Sequence, residues 1–360
     1  MNIAMFYHSL ISDWNHGNAH FLRGIVTELM ARGHRVRVFE PRDAWSVENL
    51  ITDHGEAAIA GFHRAYPDLE SRRYDDSLDL DEALDGIDLV IVHEWNAHKL
   101  VARIGAHHHL NRYTLLFHDT HHRSVTAPDE MAAYDLRDYD GVLAFGGVIR
   151  DLYVHRGWTQ RAWTWHEAAD VRVFKPYQRG VYDGDLVWIG NWGEGERSAE
   201  LHEMLLEPVR ALRLTARVHG VRYPDDAKQA LAAAGIHYAG WLPNYEAAPL
   251  FAKYRVTVHV PRRPYVEALP GIPTIRPFEA LACGIPLVSA PWDDRERLFR
   301  TGEDYLVARD GNEMQRQLRA VIEDRGLAES LTRHGRETIL ARHTCAHRVD
   351  ELFAIVKELT

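Results

Sequence analysis

The chain has 360 residues, 46% of them hydrophobic and 26% charged, with a formal net charge of −10. That length exceeds one ordinary domain and suits two of about 170 to 180 residues, and no apolar run reaches the ~18 residues a membrane span needs. The acidic balance argues against non-specific binding to nucleic acid or to an anionic bilayer.

The N-terminus carries no basic stretch ahead of an apolar core, so no export signal is expected. Cys283 and Cys345 cannot build a disulfide framework, and a cytoplasmic protein is the expectation. Residues 2–7 read as a strand, followed by a polar loop over 8–18. Phe21, Leu22, Ile25, Val26, Leu29 and Met30 then recur at helical spacing, and Gly33 suits a left-handed cap. Residues 36–39 form the next strand, which completes the βαβ unit of a parallel sheet. Residues 68–88 hold nine acids and two arginines and read as solvated surface. A short helix over 80–84 and strands over 87–92, 113–117 and 141–145 follow. Each strand ends in a polar or glycine-bearing loop, which is where open parallel sheets bind ligands. The periodicity lapses over 166–180, placing a linker there. A second alternation then has strands at 186–189, 214–218, 236–238, 256–260 and 286–289. Its helices lie at 199–212, 245–253, 275–283 and 313–322, and an apolar-faced helix through Val349, Leu352, Phe353, Val356 and Leu359 closes the chain.

The densest site signal runs from Gly271 to Pro286. Thr274 can cap a helix, Pro277 fits its first turn and Gly284 suits the position past its end. Such a helix, starting with Ile275, would offer bare amides to a diphosphate. Glu279, on its first turns, can accept hydrogen bonds from a ribose diol, or can simply favour the helix dipole. Arg276 at the same junction, and Arg222, Arg262 and Arg263 at other strand ends, are cations suited to a leaving phosphate. On the N-terminal side, His93-Glu94 and His118-Asp119 end neighbouring strands; His118 could orient or polarise a hydroxyl and Asp119 could hold the ring or act as base. For His93, satisfaction by the backbone explains the residue as well. His118, His121 and His122 beside Asp119 lack the spacing of a metal site. Glu40 ends a strand as a dinucleotide-binding acid would, without the glycine fingerprint that reading needs. Trp14, Trp45 and Trp95 suit sugar stacking and core packing alike.

The run Phe278-Glu-Ala-Leu-Ala-Cys-Gly-Ile-Pro286 resembles the donor-binding signature of GT-B glycosyltransferases, especially the glycosyltransferase 4 family and its CgeB-like relatives. Arg32-Gly-His-Arg-Val-Arg-Val38, His166-Glu-Ala-Ala-Asp-Val-Arg-Val-Phe-Lys-Pro176 and Ile189-Gly-Asn-Trp192 are similar to further motifs of that group. The resemblance implies an α/β protein of GT-B architecture, with two Rossmann-like domains facing across a cleft. They are an acceptor-side domain (1–170), a donor domain (181–340) and a terminal helix (341–360) returning to the first. It implies transfer of a sugar from a nucleotide diphosphate sugar, of UDP or GDP type, to a glycan or small-molecule acceptor. No metal, no other cofactor and no nucleic-acid partner are expected, and retention of configuration in bacterial glycan synthesis is the family analogy. It places Asn191 and Arg197 after the first donor-domain strand, Trp241-Leu242 beside the nucleobase, and Gly271, Ile272 and Thr274 at the phosphates. His118 then matches a histidine near the transferred sugar, and Gly17 the loop that approaches the donor or the acceptor. One departure is Gly271, where the glycosyltransferase 4 family usually has a second glutamate. A nucleotide-sugar epimerase and a non-catalytic binding subunit are the rival readings.

Overall fold

The computed structural model describes residues 1–178 and 180–359; Arg179, inside the segment read as a linker, and Thr360, the end of the expected terminal helix, lie outside them. The described residues form two compact units. One is Met1–Glu167 with the C-terminal segment from Cys345, and the other is Ala168–Thr344.

The first unit holds a seven-stranded sheet: β1 (Asn2–Phe6), β2 (Arg35–Pro41), β3 (Ser71–Tyr74), β4 (Leu89–His93), β5 (Thr114–Asp119), β6 (Gly141–Ala144) and β7 (Ala162–Thr164). Its order is β3-β2-β1-β4-β5-β6-β7, and every pairing is parallel. The central strands read as unbroken apolar runs because helices cover both faces; Ile3 to Phe6 and Leu89 to Val92 are fully buried. The order reverses between β1 and β4, so this sheet has its topological switch point there. The helix Ala19–Ala31 ends as the glycine foretold. Gly33, at φ +82°, donates to Met30 O and the next amide to Leu29 O, the paired bonds of a Schellman cap. The terminal helix Cys345–Leu359 belongs to this unit: Trp165 Nε1 donates to Arg348 O (2.7 Å), and the rings of His34 and Phe353 lie 4.8 Å apart.

The second unit holds a six-stranded parallel sheet: β8 (Gly184–Ile189), β9 (Ala216–His219), β10 (Ile236–Tyr238), β11 (Tyr254–His259), β12 (Leu287–Ser289) and β13 (Leu306–Val307). The order is β10-β9-β8-β11-β12-β13, with its switch point between β8 and β11.

Two segments differ from their sequence reading. Residues 199–212 are not one regular helix: Ser198–Leu201 and Glu207–Leu212 are joined by a π-helical turn, His202–Leu206. Pro208, which has no N–H to give to the preceding turn, accounts for the break. The acidic stretch over 68–88 is not only solvated surface. It contains the edge strand β3, whose Ser71 hydroxyl donates to the Glu40 carboxylate. Glu40 also accepts the amides of Leu10 and Ile11, so this acid fastens the loop after β1.

Candidate active site

In the second unit the loop after β8 leads to Arg197, whose guanidinium donates to Asn191 O (2.6 Å) and Val260 O (2.8 Å) and lies 5.1 Å over the Trp188 ring. Val260 directly follows β11, so this one side chain ties the two strand ends that flank the switch point. Gly193, at φ +94°, makes room for it, since a Cβ there would stand 2.9 Å from Arg197 Cγ. Four other expected cations collect around the same loop, each against a carboxylate. Arg222 meets Glu194 at 2.9 Å, Arg262 meets Glu196 at 2.8 Å, Arg263 meets Glu200 at 3.1 Å, and Arg276 pairs with Glu279. Arg197 is the exception among them. Its direct hydrogen-bond partners are carbonyls, and no carboxylate among the described residues is in ion-pair contact with it, although the Glu196 charge nearby offsets part of its own. Desolvation, followed by the proximity of Arg262 and then Arg276, pushes its pKa down to about 9. The site therefore disfavours its own positive charge, and an anion would relieve that cost.

The helix after the glycine-bearing junction is Ile275–Cys283, closed by Gly284 in the left-handed conformation. Thr274 does not cap it: at φ +63°, ψ −178° its hydroxyl makes no bond to the first-turn amides, because the backbone swings the side chain off the helix axis. Glu279 is buried rather than open to a ligand, and its carboxylate is held by Arg276 one turn back. Gly271 explains the missing glutamate. It has φ +94°, a backbone that strains any side chain, and an added Cβ would lie 2.6 Å from Glu296 Oε1, so a side chain there would also have to push the Glu296 side chain aside. Ile272 and Ile275 are core residues. Trp241 and Leu242 are half-buried and follow β10 at the sheet edge, where Gly220 N donates to Gly240 O at 2.9 Å. His259, which sequence reasoning passed over, ends β11 with Nδ1 2.9 Å from Ser289 Oγ. Burial and then Arg197 and Arg276 lower its pKa to about 3, so it is neutral.

In the first unit, the register pairs His93 of β4 directly with His118 of β5, and their buried rings lie 5.5 Å apart. His93 Nε2 is 3.0 Å from Thr120 Oγ1. Neither ring nitrogen of His118 has a hydrogen-bond partner among the described residues; Trp165 packs 4.8 Å from its centroid, and burial lowers its pKa to about 3. Asp119 is not poised as a base. Its carboxylate accepts from Tyr153 OH (2.9 Å) and His121 N (3.0 Å), and burial followed by the nearby Glu94 charge lifts its pKa well above the carboxylate range. Glu94 is clasped by Arg123 through Nε at 3.1 Å and a terminal nitrogen at 2.8 Å. Gly17 is exposed before the helix Ala19–Ala31, and Asn18 Nδ2 reaches Thr120 O at 3.3 Å. Sequence reasoning also missed that His8 and His16 join this group. The ring centroids step 5.2 Å from His8 to His16 and 6.4 Å from His16 to His93, and burial holds both imidazoles neutral. Their one visible signal was position, in the loop just past β1 at the switch point. Among the described residues no three His, Cys, Asp or Glu are grouped to hold a metal ion, and no helix is long and apolar enough to cross a membrane.

Residues 197–354 match a family model described as glycosyl transferase-like. No curated protein matches the chain by sequence. Among solved structures, the fold is similar to sucrose-phosphate synthase from Thermosynechococcus elongatus, with a TM-score of 0.69 at 14% identity, covering 100% of both chains. Anabaena HepE, in complex with UDP and glucose, is similar with a TM-score of 0.69 at 14% identity over 99% of both chains. An alpha-glucosyltransferase in complex with UDP and a 13-mer DNA gives a TM-score of 0.65 at 12% identity, again over 99% of both chains. The fold is that of the GT-B glycosyltransferases, and the C-terminal part of the chain is similar to the glycosyl transferase-like family.

Proposed function

We propose that the chain moves a sugar from a nucleoside diphosphate to an acceptor hydroxyl, binding the donor through its second unit. The observation that carries this reading is Arg197, a cation without a carboxylate at the β8/β11 switch point, with Arg262 and Arg276 close enough to lower its pKa. In the transfer, the bond from the anomeric carbon to the β-phosphate oxygen breaks and the electron pair leaves with the diphosphate. A bond from the acceptor oxygen to that carbon forms, and the acceptor proton passes to the departing phosphate. Arg197 and Arg276 offset the charge that develops on it, so no metal ion is required. Arg276 can do so only by sharing itself with Glu279. In the first unit His118, neutral and without a hydrogen-bond partner among the described residues, is suited to binding a hydroxyl. Retention follows from the use of the leaving phosphate as base. Uridine diphosphate glucose is the first donor to try, since the Anabaena neighbour was solved with UDP and glucose.

Calorimetric titration of the full chain with UDP and GDP, followed by assay of nucleotide release with and without acceptor, tests the reading. Binding that disappears in Arg197→Ala supports it, and failure to bind either nucleotide sinks it. Product NMR showing an inverted anomeric centre would overturn retention. An epimerised sugar nucleotide formed without acceptor would instead make the chain an epimerase.

A further inference from the structure

His259 is a buried group of the second unit that the transfer does not use. It ends β11, 3% exposed, and the register sets it beside Ser289 of β12, which is fully buried. The Ser289 hydroxyl donates its one proton to Ala290 O at 2.7 Å, so its oxygen can only accept from the imidazole nitrogen 2.9 Å away. That fixes the tautomer. Nδ1 carries the hydrogen, and Nε2 is left as a bare lone pair, without a hydrogen-bond partner among the described residues. The Pro273 carbonyl near the ring is an acceptor too, and it favours a protonated imidazole.

A buried acceptor that meets no donor is costly, and one proton would satisfy nitrogen and carbonyl together. Burial withholds that proton, helped by the charges of Arg197, from the loop after β8, and Arg276, from the helix Ile275–Cys283. The carboxylates around them are engaged with arginines, Glu196 with Arg262 at 2.8 Å and Glu279 with Arg276. Arg197 is tied to the carbonyl of Val260, the residue next to His259. An anion held by Arg197 and Arg276 would cancel their repulsion of a positive ring and add an attraction of its own. Pro273 stands just before Thr274 at the head of that helix, so a ring bonded both to it and to Ser289 fastens the glycine-bearing junction to the sheet.

We propose that His259 is a positioning residue for the donor diphosphate: it takes a proton from solvent as the donor binds and, as an imidazolium, joins Ser289 on β12 to the Pro273 carbonyl. The role rests on the transferase reading above. Because binding then takes up a proton, donor affinity rises as pH falls. Calorimetric titration of the full chain with UDP-glucose and GDP-mannose, whose diphosphates do not titrate near neutrality, tests it. The titrations use buffers of different ionisation enthalpy, across about one pH unit either side of the ordinary histidine value. The expected result is proton uptake on binding that grows as pH falls. His259→Gln, whose amide can stand where Nε2 does but cannot titrate, should abolish the uptake and keep affinity within about threefold at the upper end of that range. His259→Asn, which keeps only the bond to Ser289, should abolish it too and lose about tenfold in affinity. A ring that only packs would lower stability in both variants and give no proton linkage in the wild type. Donor binding without proton uptake, or uptake that survives both substitutions, overturns the proposal and leaves the transferase reading standing. Failure to bind either sugar nucleotide, UDP or GDP removes the transferase reading, and the role of His259 with it.

Discussion

The two switch points of this molecule share one topology but differ in their charged groups, although each holds a buried neutral imidazole, His259 at the end of β11 in the second. In the first unit, the strand ends at β1, β4 and β5 carry imidazoles that burial keeps neutral. In the second, the strand ends at β8 and β11 carry arginines, one of them without a carboxylate. A parallel sheet decides where a ligand binds; the residue types placed just past its strands decide what charge that ligand has. Neutral rings suit hydroxyls, and converging guanidinium groups suit phosphates.

The comparison breaks most easily at Arg197. Replacement by alanine should lower turnover by about 10² to 10³-fold, the scale of losing one preorganised charged donor. It should also remove the link between the ends of β8 and β11, at a cost on the order of 1–3 kcal/mol. Arg197→Lys keeps the charge but cannot reach both carbonyls, so its stability should drop with a smaller loss of turnover. Steady-state kinetics beside urea denaturation separate the two effects. If alanine leaves UDP binding intact, the second switch point is not a phosphate site and the contrast with the first is empty.

His118 sharpens the other side. On the proposed reading, in which His118 binds a hydroxyl and no charge, His118→Gln should lower kcat by about 10²-fold with little change in the KM for donor. The same variant reads the protonation state. The folded pKa near 3 lies below the unfolded value near 6.5, so the unfolded chain binds the extra proton as pH falls. Stability due to the neutral ring is therefore complete above about pH 6.5 and is lost progressively towards pH 3. Through most of that window the wild type should lose about 1.4 kcal/mol per pH unit more than His118→Gln. The raised pKa of Asp119 acts in the opposite sense and is common to both proteins, so it cancels from the difference. Parallel stability-versus-pH curves would show that His118 is exposed or charged.

Legibility followed the same division. Strands with apolar residues on both faces, such as Leu89 to Val92, announced themselves because nothing else explains such runs. Edge strand β3, reading Ser-Arg-Arg-Tyr, did not, because a half-exposed edge needs no apolar pattern. The cations of the second unit stood out at strand ends, yet their carboxylate partners are spread over Glu194, Glu196, Glu200 and Glu279, and only folding brings each pair together. His8 and His16 were hidden for a related reason. In a chain with 23 histidines, a ring becomes informative only once its neighbours in space are known.

Gly271→Ala should be milder. The left-handed backbone costs an L-residue about 1–2 kcal/mol, and the Glu296 side chain must also move aside by a few tenths of an ångström or more. A loss in that range, measured by thermal melting with UDP affinity only modestly reduced, would show that the glycine is there for shape. No loss at all would mean that the loop is free to rearrange, and that the absent glutamate needs another explanation.

The smallest expected effect is also the cleanest. Thr274 stands at the head of the helix Ile275–Cys283, where a capping hydroxyl usually contributes about 1 kcal/mol. Its φ of +63° leaves the side chain without a cap bond. Thr274→Val keeps the shape and deletes the hydroxyl, so it should change stability by less than about 0.5 kcal/mol. UDP affinity should stay within roughly twofold if the helix offers its backbone amides to the phosphates. A stability loss near 1 kcal/mol would restore the cap. Unchanged stability with a tenfold fall in affinity would mean that the hydroxyl itself meets the donor, so that the second unit reads phosphate with side-chain oxygen as well as with charge.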